Sequence, residues 1–262
     1  MDAFPFTVET RKIDSDIGLL YFDVKDVLSV APYLDNHIVP IFCGPQAEMD
    51  VGFVKRCLAN QLKPKLKRKF LLCGAVAEFF VHLLLNHRGY RQNFLYQNLE
   101  ERSAKKGFDG VYSIGDELWL MESKSGCFNG NQTHYEKVTE ATNDLKNKVS
   151  GQGGTNNPWK NAYNHASHRD VGARSTLRSQ LIELEMLYES GTYQNISSFN
   201  IIPCATLFYT NVIERENLDE LASKIGVYFS KRSHTGVDVV CVSNTALDDF
   251  LSYLGLRRSN GQ

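Results

Sequence analysis

Residues 107–124 read GFDGVYSIGDELWLMESK, two runs of strand-forming residues around a Gly-Asp pair. Val111, Tyr112 and Ile114 precede the pair; Leu118, Trp119, Leu120 and Met121 follow it. Glycine in first place suits a two-residue type II′ turn, so an antiparallel hairpin is expected with Gly115 and Asp116 at its tip. Ile114 then faces Glu117, and continuing that ladder sets Asp109 opposite Glu122. Side chains alternate along a strand, which places Asp109, Glu122 and Lys124 on the same face as Val111, Leu118 and Leu120.

Two carboxylates and one ammonium therefore end an otherwise apolar face. Directly opposed residues hold their Cβ atoms roughly 4.5–5.5 Å apart, and like charges so placed repel. A compensating cation is expected. Lys124 supplies part of that charge, and a hard divalent ion would supply it more fully. Mg²⁺ is commonly bound by one or two carboxylates together with a substrate phosphate. The plainer alternative is an exposed strand end with an ordinary surface ion pair, which contributes little.

With 262 residues, 42% hydrophobic and 23% charged, the chain can bury a sizeable core as one large domain or one domain with an appendage. A net charge of −1 gives no global attraction to nucleic acid, so polyanion binding must come from a local patch. Residues 62–70, LKPKLKRKF, offer one: Lys63, Lys65, Lys67, Arg68 and Lys69 with no acid among them. Such a run is either a solvated linker or a grip on a phosphate backbone.

The six cysteines are scattered with no CxxC pair, which predicts reduced thiols in a cytosol rather than a disulfide frame or a zinc site. The N-terminus, MDAFPFTVETRK, lacks a basic segment followed by an apolar core and is not expected to be a signal peptide. FLLCGAVAEFFVHLLL at 70–85 is shorter than the run of about 20 apolar residues a spanning helix needs, and it contains Glu78 and His82. It fits a helix buried against a sheet. His165 and His168 in NHASHRD have no third ligand nearby and are expected in a polar loop. GQGGTNN at 151–157 lacks the Lys-Ser/Thr of a phosphate-cradling loop and is expected to be a flexible connection.

Periodicity predicts a helix over about 66–87, a strand near 92–98, the hairpin, and a helix near 131–149. RSTLRSQLIELEMLYES is amphipathic, with Leu177, Leu181, Leu184 and Tyr188 at helical spacing. NIIPCATLFYT and GVDVVCVSN are expected strands, while NLDELASKIGVYF and TALDDFLSYLGL are expected helices. Residues 1–60 mix short apolar runs, IGLLYF and HIVPIF, with polar turns and resist assignment. The alternation calls for an α/β fold, a mixed sheet covered on both faces.

Asp109, twelve intervening residues and then Glu122-Ser123-Lys124, in the order helix, three strands, helix, strand, resembles the PD-(D/E)xK nuclease superfamily. Its signature is an acid on one core strand and acid-x-Lys on the next; here Gly107-Phe108-Asp109-Gly110 stands where the superfamily has Pro-Asp. The resemblance implies a restriction-endonuclease-like mixed sheet over 61–262, with residues 1–60 as an N-terminal elaboration open to partner contact and a C-terminal elaboration beyond the core. It implies Mg²⁺, with Mn²⁺ able to substitute, held by Asp109, Glu122 and the backbone carbonyl of Ser123, with Lys124 orienting water and offsetting charge on the phosphate. Many members carry an acid on the preceding helix, which points to Glu78 as a direct or outer ligand; the other reading of Glu78 is a polar stripe with His82. Gln132 and Tyr135 stand on the helix where these nucleases often carry polar residues.

The whole length, through GAVAEFF, GFDGVY and ELWLMESKSG, resembles the HamA family, the nuclease subunit of the bacterial Hachiman antiphage system, and the similar AbpA. That likeness implies a cytoplasmic bacterial effector that cleaves DNA and is held inactive by a superfamily 2 partner helicase, HamB, with no membrane role. The competing readings are a catalytically inactive nuclease-fold module that binds nucleic acid or docks a helicase, and a purely structural subunit.

Overall fold

The computed structural model describes residues 3–97, 99, 107–127, 132–154, 156–210 and 216–256. In chain order its first half runs β1 (Val8–Lys12), β2 (Ile17–Val24), α1 (Ala31–Cys43), α2 (Val51–Leu62), α3 (Lys69–His87), β3 (Arg91–Gln92), β4 (Gly110–Ile114) and β5 (Glu117–Cys127). The second half runs α4 (His134–Val149), α5 (Pro158–Ala166), α6 (Ser175–Glu189), β6 (Asn200–Phe208), α7 (Leu218–Ser230), β7 (Gly236–Asn244) and α8 (Leu247–Tyr253).

The hairpin has the expected register. Ile114 lies opposite Glu117, Val111 opposite Leu120 and Gly110 opposite Met121. Gly115 takes a φ of +58° while Asp116 stays out of the positive region, the sign pattern of a type II′ turn. The strands join one seven-stranded sheet of order β1-β2-β7-β6-β5-β4-β3. β2, β7, β6 and β5 run parallel, and antiparallel pairs, β1 on β2 and β3-β4 on β5, close the two sides.

Strand alternation divides the core into two layers. Tyr112, Trp119 and Met121 pack with α1, α2, α3 and α8 on one face, whereas Val111, Leu118 and Leu120 pack with α4, α5, α6 and α7 on the other. Both faces of β5 are therefore apolar over Leu118–Met121, where the strand reads as a continuous hydrophobic run. Among the described residues, α3 is the one helix long and apolar enough to cross a membrane, yet most of it is buried within the fold.

Several expectations change. Of the strand expected near 92–98, only Arg91–Gln92 joins the sheet; Asn98 lies outside the described residues. Asn93 N still donates to Val111 O of β4, but Tyr96 N and Gln97 N then turn to Ile41 O and Phe42 O at the end of α1, where Gln92 Nε2 also donates to Ile41 O. His165 is not in a polar loop. It is fully buried in α5, its Nδ1 accepts from Leu95 N at 3.1 Å, and its ring stacks 3.7 Å from Phe94.

IGLLYF becomes the start of β2, and HIVPIF ends α1, where Pro40 inside the helix obscures the helical pattern. The 1–60 region thus supplies two of the seven strands. Cys73 on α3 and Cys127 at the end of β5, expected as separate thiols, are joined by a disulfide with Cα atoms 6.6 Å apart; Cys43, Cys57, Cys204 and Cys241 are free. The crossing of α3 over β5 brings these positions together across 54 residues.

A methyl group at Gly115 would meet no atom within 4 Å, so Gly115→Ala tests backbone conformation alone. The φ of +58° predicts a loss of about 1 kcal/mol in chemical denaturation. Unchanged stability would contradict the type II′ turn.

Candidate active site at the mouth of the hairpin

Past the Gly110–Met121 pair β4 stops, while β5 runs on to Cys127 with β6 beside it. Asp109 turns into the space that opens: its Oδ2 accepts a hydrogen bond from Ser123 N at 2.9 Å. A carboxylate thus stands where the next backbone acceptor of the ladder would be. The ladder ends one pair short of Asp109, so Asp109 does not pair with Glu122 in the sheet, but its charge still acts on the Glu122 carboxyl across the hairpin mouth.

Glu122 is only 2% exposed. Lys124 Nζ lies 3.2 Å from its Oε1 and Lys148 Nζ lies 2.5 Å from its Oε2. Lys124 also pairs with Asp144. Burial pushes the Glu122 carboxyl up to about 7, and the negative charge of Asp109 adds to that, although Lys148 and Lys124 oppose it. For Lys124, burial pulls downward, but the carboxylates of Glu122 and Asp144 outweigh it and hold the ammonium above its ordinary value.

The second lysine comes from α4. Thr133 and Glu136 form a reciprocal capping box that fixes where this helix starts. Its buried stripe of Val138, Ala141, Thr142, Leu145 and Val149 then sets Asp144 and Lys148, four residues apart, on the flank that faces β5. The sequence reading missed both. Their spacing beside the stripe was visible in NDLKNKV, but no local signal told that this flank would meet Glu122 rather than solvent.

Glu78 arrives differently. α3 covers the opposite face of the sheet from α4. There His82 pairs with the Tyr112 hydroxyl, and the Tyr112 and Tyr96 hydroxyls are pushed well up, chiefly by burial, with the Glu78 charge adding to it. The Glu78 charge is thus felt by the tyrosines of this layer. Gln132 lies over Gly126 of β5, and Tyr135 packs edge-on against Tyr228 of α7.

The basic run forms the turn from α2 into α3, with Lys63, Lys67, Arg68 and Lys69 exposed. Cys127 Sγ contacts Lys69 O at 3.8 Å, so this turn lies at the same end of β5 as the site, three residues beyond Lys124. Phe70, 72% exposed, stands beside the cations.

The donor set consists of hard oxygens, which suits Mg²⁺ or Mn²⁺ rather than a soft or zinc-type ion. The Ser123 hydroxyl, on the residue between Glu122 and Lys124, is buried without a hydrogen-bond partner among the described residues. No three His, Cys, Asp or Glu side chains among the described residues gather closely enough to hold a metal ion. Asp109 and Glu122 therefore fit such an ion only with the Ser123 oxygens, water or substrate completing its shell. The chain matches no protein-family model and no curated protein.

The raised Glu122 carboxyl fixes a sign for pH dependence. A folded carboxyl above its ordinary 4.5 binds more protons than the unfolded one, so its contribution to stability is present below about 4.5 and lost by about 7. In metal-free buffer the melting temperature of the wild type should therefore fall relative to Glu122→Gln as pH rises from 4.5 to about 8. Parallel curves would show that Glu122 is not desolvated.

Proposed function

We propose that the protein is a metal-dependent nuclease that hydrolyses DNA phosphodiester bonds, using Asp109, Glu122 and Lys124. What carries the reading is the desolvated Glu122 at the hairpin mouth, with Asp109 across from it and Lys124 beside it. The Asp109 charge pushes the Glu122 carboxyl up across the hairpin mouth, and a divalent cation held by both carboxylates would relieve that repulsion while presenting charge to a phosphodiester.

Mg²⁺, when bound, supplies polarisation of the scissile phosphate and a more acidic water. Asp109, Glu122 and the Ser123 carbonyl are the groups to hold it. Lys124, kept protonated by its two carboxylate neighbours, serves as a hydrogen-bond donor and point charge toward the phosphate oxygens rather than as the base. The likeness to the HamA family extends the proposal to a cytoplasmic antiphage effector governed by a superfamily 2 partner helicase. The basic turn beside the site supports the nucleic-acid part of it.

A second reading has its own support. Lys148 supplies much of the cationic charge that Glu122 needs, and Asp144 engages Lys124, so the cluster also suits an inactive nuclease-fold module whose ion pairs are structural.

Incubating plasmid and linear DNA with Mg²⁺, Mn²⁺ or EDTA separates the two. The nuclease reading predicts metal-dependent cutting that falls about 10²–10⁴-fold in Lys124→Ala while the fold persists. Equal cutting by the variant would refute the assignment of Lys124, and no cutting by the wild type, alone or with its helicase, would favour the inactive module. For the basic turn, changing Lys63, Lys67 and Arg68 together to Ala should weaken DNA binding without altering sequence preference. The slope of log affinity against log salt should drop by roughly 2–3. An unchanged slope would place the phosphate contacts elsewhere.

A further inference from the structure

A cavity of about 310 Å³ opens on the far flank of α4, between that helix, the turn leading into β6 and the segment after α7. Its size lies at the lower end of small-molecule sites. Lys146 projects from α4, and Arg232 and His234 follow α7. Among the described residues, none of the eleven that line it is acidic, so these basic groups meet no carboxylate in that wall.

Two of the three are held in place before any ligand arrives. The Arg232 guanidinium stacks 3.6 Å from the centre of the Tyr228 ring and donates one N–H to Tyr228 O at 2.6 Å. The His234 ring donates through Nδ1 to Arg232 O at 3.0 Å. A fixed planar guanidinium beside a point-charge ammonium matches the geometry of a phosphate group. Ile196, Ile201 and Phe229 provide an apolar surface beside this basic rim, and Asn143 and Ser197 provide polar groups at its edge.

We propose that this cavity binds an organic phosphate of nucleoside-monophosphate size. The phosphate would sit against Arg232, Lys146 and His234, and the ring would lie against Ile196 and Ile201. The inference does not rest on the nuclease reading. The two sites meet in α4, which carries Asn143 and Lys146 in this cavity and Asp144 and Lys148 toward β5.

The test is titration calorimetry of the full chain with adenosine 5′-monophosphate, adenosine and inorganic phosphate as separate probes. The nucleotide should bind, with adenosine and phosphate each at least about tenfold weaker. Lys146→Ala/Arg232→Ala and, independently, Ser233→Glu at the exposed rim should each weaken nucleotide binding at least about tenfold with melting curves kept. Lys124→Ala should leave it unchanged. The proposal is overturned if the nucleotide gives no binding at millimolar concentration. It is equally overturned if both rim variants bind like the wild type, or if Lys124→Ala removes binding, which would place the nucleotide at the hairpin mouth.

Discussion

The chemistry of this fold turns on removing one carboxylate, Glu122, from water. An isolated buried carboxylate is costly enough that it protonates or acquires partners. Here both responses are present: the carboxyl is raised to about 7, and Lys124 and Lys148 each reach one of its oxygens. Its neighbours follow from that need. Lys124 is drawn inward between Glu122 and Asp144, α4 is seated with Lys148 toward β5, and Asp109 adds a repulsion that a further cation would relieve. A structural ion pair alone would not require an opposing acid. The repulsion between two carboxylates at one strand end, one of them buried, is what makes a divalent ion an apt partner.

The backbone creates that opportunity through unequal strand lengths. β5 outruns β4 by six residues, so the parallel core continues beside β6 while the hairpin side loses its partner strand. Asp109 fills the vacated acceptor position at Ser123 N, which makes the hairpin end part of the sheet and part of the site at once. Because β5 lies between two apolar layers, a one-residue slip of its register would move Glu122 and Lys124 to the α3 layer and expose the wrong set of side chains. Fold and site therefore share one register.

Local features were legible in the sequence. The Gly115-Asp116 turn and strict alternation gave the register, and 3.6-residue periodicity gave α3, α4, α6 and α7. What failed depended on contacts distant in sequence. Lys148 and Asp144 gained their roles only when α4 packed on β5, His165 only when Phe94 reached it, and the Cys73–Cys127 pair only when α3 crossed the sheet. The 92–98 strand is cut short at Arg91–Gln92: Asn93 N still donates to Val111 O of β4, after which Tyr96 N and Gln97 N bond to Ile41 O and Phe42 O at the end of α1 instead. Glu78 was legible as a charge that needs a setting, and its charge reaches the hydroxyls of Tyr96 and Tyr112.

The central claim is that the hairpin mouth is built for a divalent cation. Calorimetric titration of the metal-free protein with Mg²⁺ and Mn²⁺, alongside Glu122→Gln and Asp109→Asn, tests it most directly. Binding by the wild type that is lost in both variants is the predicted result. No binding by the wild type, or binding that survives both substitutions, would leave Glu122 as the buried member of a structural ion-pair cluster and contradict the account.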